Sequence, residues 1–147
     1  MTEGQSLSES SQESQGGALT AATLEPPTAE AHAAAVELAR VAARAADAKK
    51  ATDVVVLDLS GVSDVCEAIV AATVANSRLA DSVVDEVEAR VRLSFGVSPL
   101  SIEGRSDGRW ILIDYGSVIV HLFTPEARDF YRIERLWGDA PRIELGL

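Results

Sequence analysis

The stretch 108–141, GRWILIDYGSVIVHLFTPEARDFYRIERLWGDAP, decides the architecture. Trp110 to Asp114 and Val118 to Phe123 are runs of β-branched and aromatic residues, and Tyr115-Gly116-Ser117 between them is turn material. A two-residue loop at Tyr115-Gly116 pairs Ile111 with Val120 and Ile113 with Val118, which makes one face wholly aliphatic. Trp110, Leu112, Ile119 and His121 then share the other face. A type I′ turn there needs a positive φ at Tyr115, which is disfavoured. A three-residue loop with Gly116 in the left-handed position is the rival, and it regroups the faces. The two-residue register is the one preferred here.

Thr124-Pro125 starts a helix: Thr can cap, and Pro suits the first helical position because its missing N–H is not needed there. Ala127, Phe130, Ile133 and Trp137 recur at three- and four-residue spacing, and Gly138 with Pro141 marks the stop. A hairpin and one helix cannot cover both faces of a sheet. The rest of the chain must therefore supply more strands and helices.

Working outward, the 147 residues suffice for one domain, or one domain with a tail. Met1 to Pro27 is the tail: Ser, Gln, Glu, Gly and Thr dominate it, and it has no Lys or Arg. Such a composition buries too little apolar surface to offset its ordering entropy, so residues 1–27 read as a disordered acidic segment and 28–147 as the folded domain. The tail has neither a basic start nor an apolar run, so it is not a signal peptide, and no later segment approaches a membrane span. A chain beginning at Thr28 is expected to melt at nearly the temperature of the whole protein. A drop of more than about 5 °C, roughly 1 kcal/mol for a domain of this size, would mean that the tail packs.

From Thr28, a plausible cap, an Ala-rich helix runs to about Lys50 with Leu38, Val41, Ala42 and Ala45 on one stripe. Val54 to Leu59 is a nearly continuous apolar run, the pattern of a strand covered on both faces. Ala68 to Thr73 reads as a second strand. Asn76 opens a helix from about Ser77 to Leu93, in which Leu79, Val83, Val87 and Val91 recur every fourth residue, and Gly96 stops it. Leu100 to Glu103 is a short third strand, and Gly104 and Asp107-Gly108 turn the chain into the hairpin. The order is helix, two strands, helix, three strands, helix. That makes an α/β domain with a mixed sheet of about five strands.

The formal net charge of −10 at pH 7 argues against free nucleic acid as the main partner, because phosphate binding relies on Lys and Arg. A basic protein surface is the better match, although the same acidity also serves solubility. Cys66 is the single cysteine, so no internal disulfide forms, which fits a reducing cytoplasm. His32 and His121 have no cysteine or carboxylate pair at ligand spacing, so neither reads as a metal site. Asp58, Asp114 and His121 invite comparison with an acid–base set. The better reading has both aspartates closing strand ends by accepting backbone hydrogen bonds. No GxxxxGK[ST] or GxGxxG phosphate loop is present. Arg128, Arg132 and Arg135 form a basic stripe that is either a solvated face paired with Asp129 and Glu134 or a small phosphate contact at the rim of a larger interface. Trp110 is either core or, beside His121 on the less aliphatic face, part of a binding platform.

Asp53-Val54-Val55-Val56-Leu57-Asp58, Arg78 leading to Asp85-Glu86-Val87-Glu88, and Glu103-Gly104 form a pattern with the later Gly108-Arg109-Trp110, Asp114-Tyr115-Gly116 and Val120-His121. Phe130-Tyr131 and Glu134-Arg135-Leu136-Trp137-Gly138-Asp139 complete it. From about Glu37 to Pro141 the chain resembles the ribosomal silencing factor, or Iojap, family. The resemblance implies a non-catalytic factor with a nucleotidyltransferase-like α/β fold that lacks the catalytic site and needs no cofactor or metal. It implies docking on the large ribosomal subunit, on its fourteenth protein, so that the small subunit cannot join and translation is repressed when nutrients are short. Trp110, Asp114, Tyr115 and His121 are the expected partner-binding residues, with a minor rRNA contact. A homodimer, as in some family members, stays open. Relatives in mitochondria and chloroplasts act in ribosome assembly, so an assembly factor on precursor particles is the alternative, with a vestigial nucleotidyltransferase behind it. The segment 66–79 departs from the family: Val74 stands where a glycine is usual. A β-branched residue cannot cheaply take a positive φ, so this turn must be rebuilt locally.

Overall fold

Residues 28–131, 135, 138 and 140–146 are described by the computed structural model. The tail 1–27 and the helical continuation through Arg132, Ile133 and Trp137 lie outside the described residues. The elements run α1 (Ala29–Ala48), β1 (Thr52–Asp58), β2 (Ala68–Thr73), α2 (Ser77–Phe95), β3 (Ser101–Glu103), β4 (Trp110–Asp114), β5 (Val118–Phe123) and α3 (Pro125–Tyr131). This is the element order expected from the sequence. The caps act where the residue types place them: Thr28 Oγ1 accepts from Ala31 N–H, Asn76 Oδ1 accepts from Leu79 N–H, and Gly96 ends α2 in the left-handed region.

The five strands form one mixed sheet in the order β1-β2-β5-β4-β3, with β2 and β5 parallel and the other pairs antiparallel. The segment between β2 and β5 crosses over through α2, as a parallel pair requires. Helices α1 and α2 cover one face. Val56, Ala68, Val70, Ala72, Val74, Ile111, Ile113, Val120 and Leu122 meet Leu38, Ala39, Ala42, Val83, Val87 and Val91 there in one core. Both α1 and β2 present alanines to this layer, so helix and strand pack closely, and every residue of β2 is buried. Val74 is fully buried, its N–H bonds Phe123 O at 2.7 Å, and it is not among the residues with positive φ. The turn is thus built without the left-handed residue that a glycine would allow.

The hairpin differs from the preferred register. Ile111 pairs with Leu122, Leu112 with His121, Ile113 with Val120 and Asp114 with Ile119. Tyr115 N–H bonds Val118 O at 2.9 Å, so the loop is Gly116-Ser117 and not Tyr115-Gly116. The cause is backbone sterics: the positive φ of the turn, +86°, falls on Gly116, and Tyr115 is spared it. The register moved by two residues, so the grouping of faces survived the change. The three-residue rival is excluded.

Strand β1 is at the sheet edge and is only partly covered, contrary to its near-continuous apolar run. The C-terminal segment masks that edge: Leu57 bridges Arg142, Asp58 N–H bonds Pro141 O at 2.8 Å, and Ile143 N–H bonds Val56 O at 2.9 Å.

His32 on α1 and two carboxylates meet at the C-terminal end of β1. The imidazole Nδ1 is 2.8 Å from Glu67 Oε1, and Nε2 is 3.3 Å from Asp58 Oδ2. The bond to Glu67, helped by the charges of Asp58 and Glu67, raises the His32 pKa above 6.5 against partial desolvation. Burial alone would push the Asp58 carboxyl up. The bonds from the Ser60 hydroxyl and N–H, with His32 beside it, nevertheless hold it below 3.8. A raised folded-state imidazole pKa stabilises fully below the unfolded value and less as pH rises through the folded value. The stability gap between the wild type and His32→Gln should therefore be widest near about pH 5 to 6 and narrow toward about pH 9. Denaturant titrations across that range check this, and a gap that does not change with pH would contradict it.

Candidate docking face on the hairpin

Burial along β4 alternates strictly. Ile111 and Ile113 are fully buried toward the helices, while Trp110, Leu112 and Asp114 are half-buried on the opposite face. An inner strand with one partly exposed face marks a sheet surface that the described helices do not fully cover. The register adds Ser101 and Glu103 of β3 and Ile119 of β5 to that side, each wholly or partly exposed. Among the described residues of α3, Ala127 packs against this face beside Phe123, Ala71, Val55 and Trp110. The result is an apolar strip of Trp110, Leu112 and Ile119 with the carboxylates of Glu103 and Asp114 alongside.

Three aromatic rings anchor the strip. Trp110 stacks on the buried Phe123 with centroids 5.3 Å apart, and Phe123 stacks on His121 at 5.9 Å. The Trp110 indole N–H donates to His121 Nδ1 at 3.1 Å. Burial pushes the His121 pKa down to about 4, so the ring is neutral at physiological pH. Indole N–H can only donate, which makes Nδ1 the acceptor and puts the imidazole proton on Nε2.

Asp114 Oδ1 accepts from Gly116 N–H at 2.7 Å, and Asp58 Oδ1 accepts from Ser60 N–H at 3.0 Å. Both aspartates thus close strand ends, as expected from their positions. The four expected partner-binding residues do not all come together. Trp110, Asp114 and His121 share the open face, with His121 buried within it. Tyr115 packs against the helix-side core. Its hydroxyl oxygen is buried with no hydrogen-bond partner among the described residues, and burial pushes its pKa up to about 12. The period of two that puts Ile111 and Ile113 inside also puts Tyr115 inside. Phe123 was missed as part of this arrangement, although it follows His121 by two and must share its face.

The arginine stripe loses a member to the fold. Arg128 Nη1 donates to Asp53 O at 2.7 Å and to Thr73 Oγ1 at 2.9 Å, tying α3 to β1 and β2. Arg135 is exposed, and Arg132 lies outside the described residues. Among the described residues no group of three or more His, Cys, Asp or Glu side chains could hold a metal ion, and no helix is long and apolar enough to cross a membrane. An open groove between Val54–Val56 and the segment 142–146 lies at the β1 edge, the opposite edge from β3 and β4.

A mixed apolar and acidic sheet face on a small α/β domain is the candidate site. The chain belongs to the ribosomal silencing factor family: the family model described as "Ribosomal silencing factor during starvation" matches residues 32–147. Ribosomal silencing factor RsfS of Halalkalibacterium halodurans is 36% identical over 109 residues, 74% of this chain and 92% of that protein. A crystal structure of a Chromobacterium violaceum protein superposes with a TM-score of 0.67 at 29% identity, covering 76% of this chain and 92% of that one. A mouse protein named for mitochondrial assembly of the ribosomal large subunit is 42% identical over 38 residues, 26% of this chain and 17% of its own length.

Proposed function

We propose that this protein binds the large ribosomal subunit in the cytoplasm through the subunit's fourteenth protein, sterically blocks joining of the small subunit, and so represses translation under nutrient limitation. The observation that carries the proposal is the partly exposed face of β4, where Trp110 and Leu112 sit beside Asp114 and Glu103. A large aromatic residue within such a patch is the usual anchor of a protein interface, and nearby carboxylates favour a basic partner. The net charge of −10 steers in the same direction. Membership of the ribosomal silencing factor family supports the ribosome as the target and a regulatory role without catalysis. A phosphate contact from the last helix would fall to the exposed Arg135 more than to Arg128, whose Nη1 is engaged inside the fold.

The test is co-sedimentation of the protein with purified large subunits on sucrose gradients, alongside a pull-down with the isolated fourteenth protein. Binding to both is expected. Absence of the protein from the large-subunit peak would reject the reading. The similarity to the mouse assembly protein favours one alternative, an assembly factor on precursor particles. Enrichment on precursors over mature subunits would select it.

A further inference from the structure

His121 is 5% exposed, too enclosed to touch a docked protein, yet it lies on the open face beside the residue best placed to do so. Trp110 and Phe123 are cross-strand partners, as are Leu112 and His121, so all four side chains stand on one side of β4 and β5. The imidazole is 6° from parallel with the Phe123 ring, and the Trp110 indole is 28° from it. The indole is thus held twice: its N–H donates to His121 Nδ1 at 3.1 Å, and its ring stacks on Phe123. Stacking alone tolerates sliding and in-plane rotation, because ring pairs have several offset arrangements of similar energy. The directional bond removes that freedom. A side chain already fixed in its bound orientation loses less entropy on docking.

We propose that His121 is the positioning residue for Trp110: it fixes the indole in the one orientation that the partner protein meets, and makes no partner contact of its own. The inference rests on the hairpin face being the docking surface. It also assigns the indole N–H to the fold, leaving the partner to meet the ring and not the donor.

The test uses the full chain and two readouts, one of which needs no partner. The Trp110 indole N–H signal, assigned by its loss in Trp110→Phe, is followed for hydrogen exchange by NMR. His121→Phe, which removes the acceptor while keeping an aromatic ring, should speed that exchange at least about tenfold and weaken binding to the large subunit about five- to tenfold. His121→Asn, which can place an oxygen near the position of Nδ1, should restore most of both. In a Trp110→Phe background, His121→Phe should cause no further loss of affinity, because the bond it removes is already gone. Unchanged exchange in His121→Phe would overturn the proposal. So would faster exchange with unchanged affinity, or an equal affinity loss in the Trp110→Phe background. Should the wild type itself fail to bind large subunits, the docking reading fails and the presenting role with it, while the exchange data still decide whether His121 fixes the indole.

Discussion

Trp110→Ala should remain folded and lose at least about thirtyfold in affinity for the large subunit and for its isolated fourteenth protein. Truncating a central aromatic anchor commonly costs about 2 kcal/mol or more, which corresponds to that factor. The structure sets the accompanying cost in stability. Trp110 is half-buried, stacks on Phe123 and satisfies His121, so its removal strips ring contact and leaves a buried Nδ1 without its donor. A penalty of about 1–3 kcal/mol follows, below the 3–5 kcal/mol or so of a fully enclosed tryptophan. Thermal melting and binding measured on one preparation separate the two effects. A folded variant with unchanged affinity would refute the assignment. If the alanine variant does not fold, Trp110→Phe, which keeps a ring but lacks the N–H that bonds His121, should fold and bind the large subunit more weakly than the wild type.

Gly104→Ala should be the most damaging single-atom change in the turn that leads into the docking face. Gly104 has a φ of +81°, and a Cβ built there would collide with the carbonyl oxygen of Trp110. The obstacle is backbone, so no rotamer change relieves it. The left-handed conformation alone costs a non-glycine residue about 1–2 kcal/mol, and the overlap forces a shift of β4 in addition. A total of about 3 kcal/mol or more is expected, a fall in melting temperature of more than about 10 °C. Gly61→Ala is the control: nothing lies within 4 Å of its Cβ position, and its φ is not in the left-handed range. That change should stay within about 0.5 kcal/mol. A Gly104→Ala variant melting within about 2 °C of the wild type would mean that the close approach to Trp110 is not as described. Because the displaced atom belongs to Trp110, the folded fraction should also bind the large subunit less tightly.

The element order was legible because each boundary carries its own chemistry: Thr28 and Asn76 accept capping bonds, Gly96 takes the left-handed stop, and the strands change period from 3.6 to 2. The strand Ala68–Thr73 also emerged, despite its alanines. The reason for Ala68 and Ala72 became visible only in three dimensions, where the alanine face of α1 lies against them. The position of the hairpin loop did not follow from the pattern, since moving the register by two leaves every residue on its own face. Gly116 decided it through a single dihedral angle. The edge position of β1 was hidden because its partner at the open side is not a neighbouring strand but residues 141–143 from the far end of the chain. Of the expected site, Trp110 and Asp114 lie on the open face, while the alternation that turns Ile111 and Ile113 inward also sets Tyr115 against the helix-side core. The burial of His121 depends on the rings of Trp110 and Phe123 around it, and no periodicity reports that. The His32 pair of carboxylates was equally invisible, since Asp58 and Glu67 reach it only through the packing of α1 on the sheet.

Occupancy of the large subunit by this protein is expected to keep the small one from joining, which light scattering of subunit association can follow. Purified large subunits preincubated with a saturating amount of the protein and then mixed with small subunits should give little of the scattering rise seen without it. The same amount of Trp110→Ala should leave most of that rise intact. A full rise while the wild-type protein still co-sediments with the associated ribosomes would contradict the account.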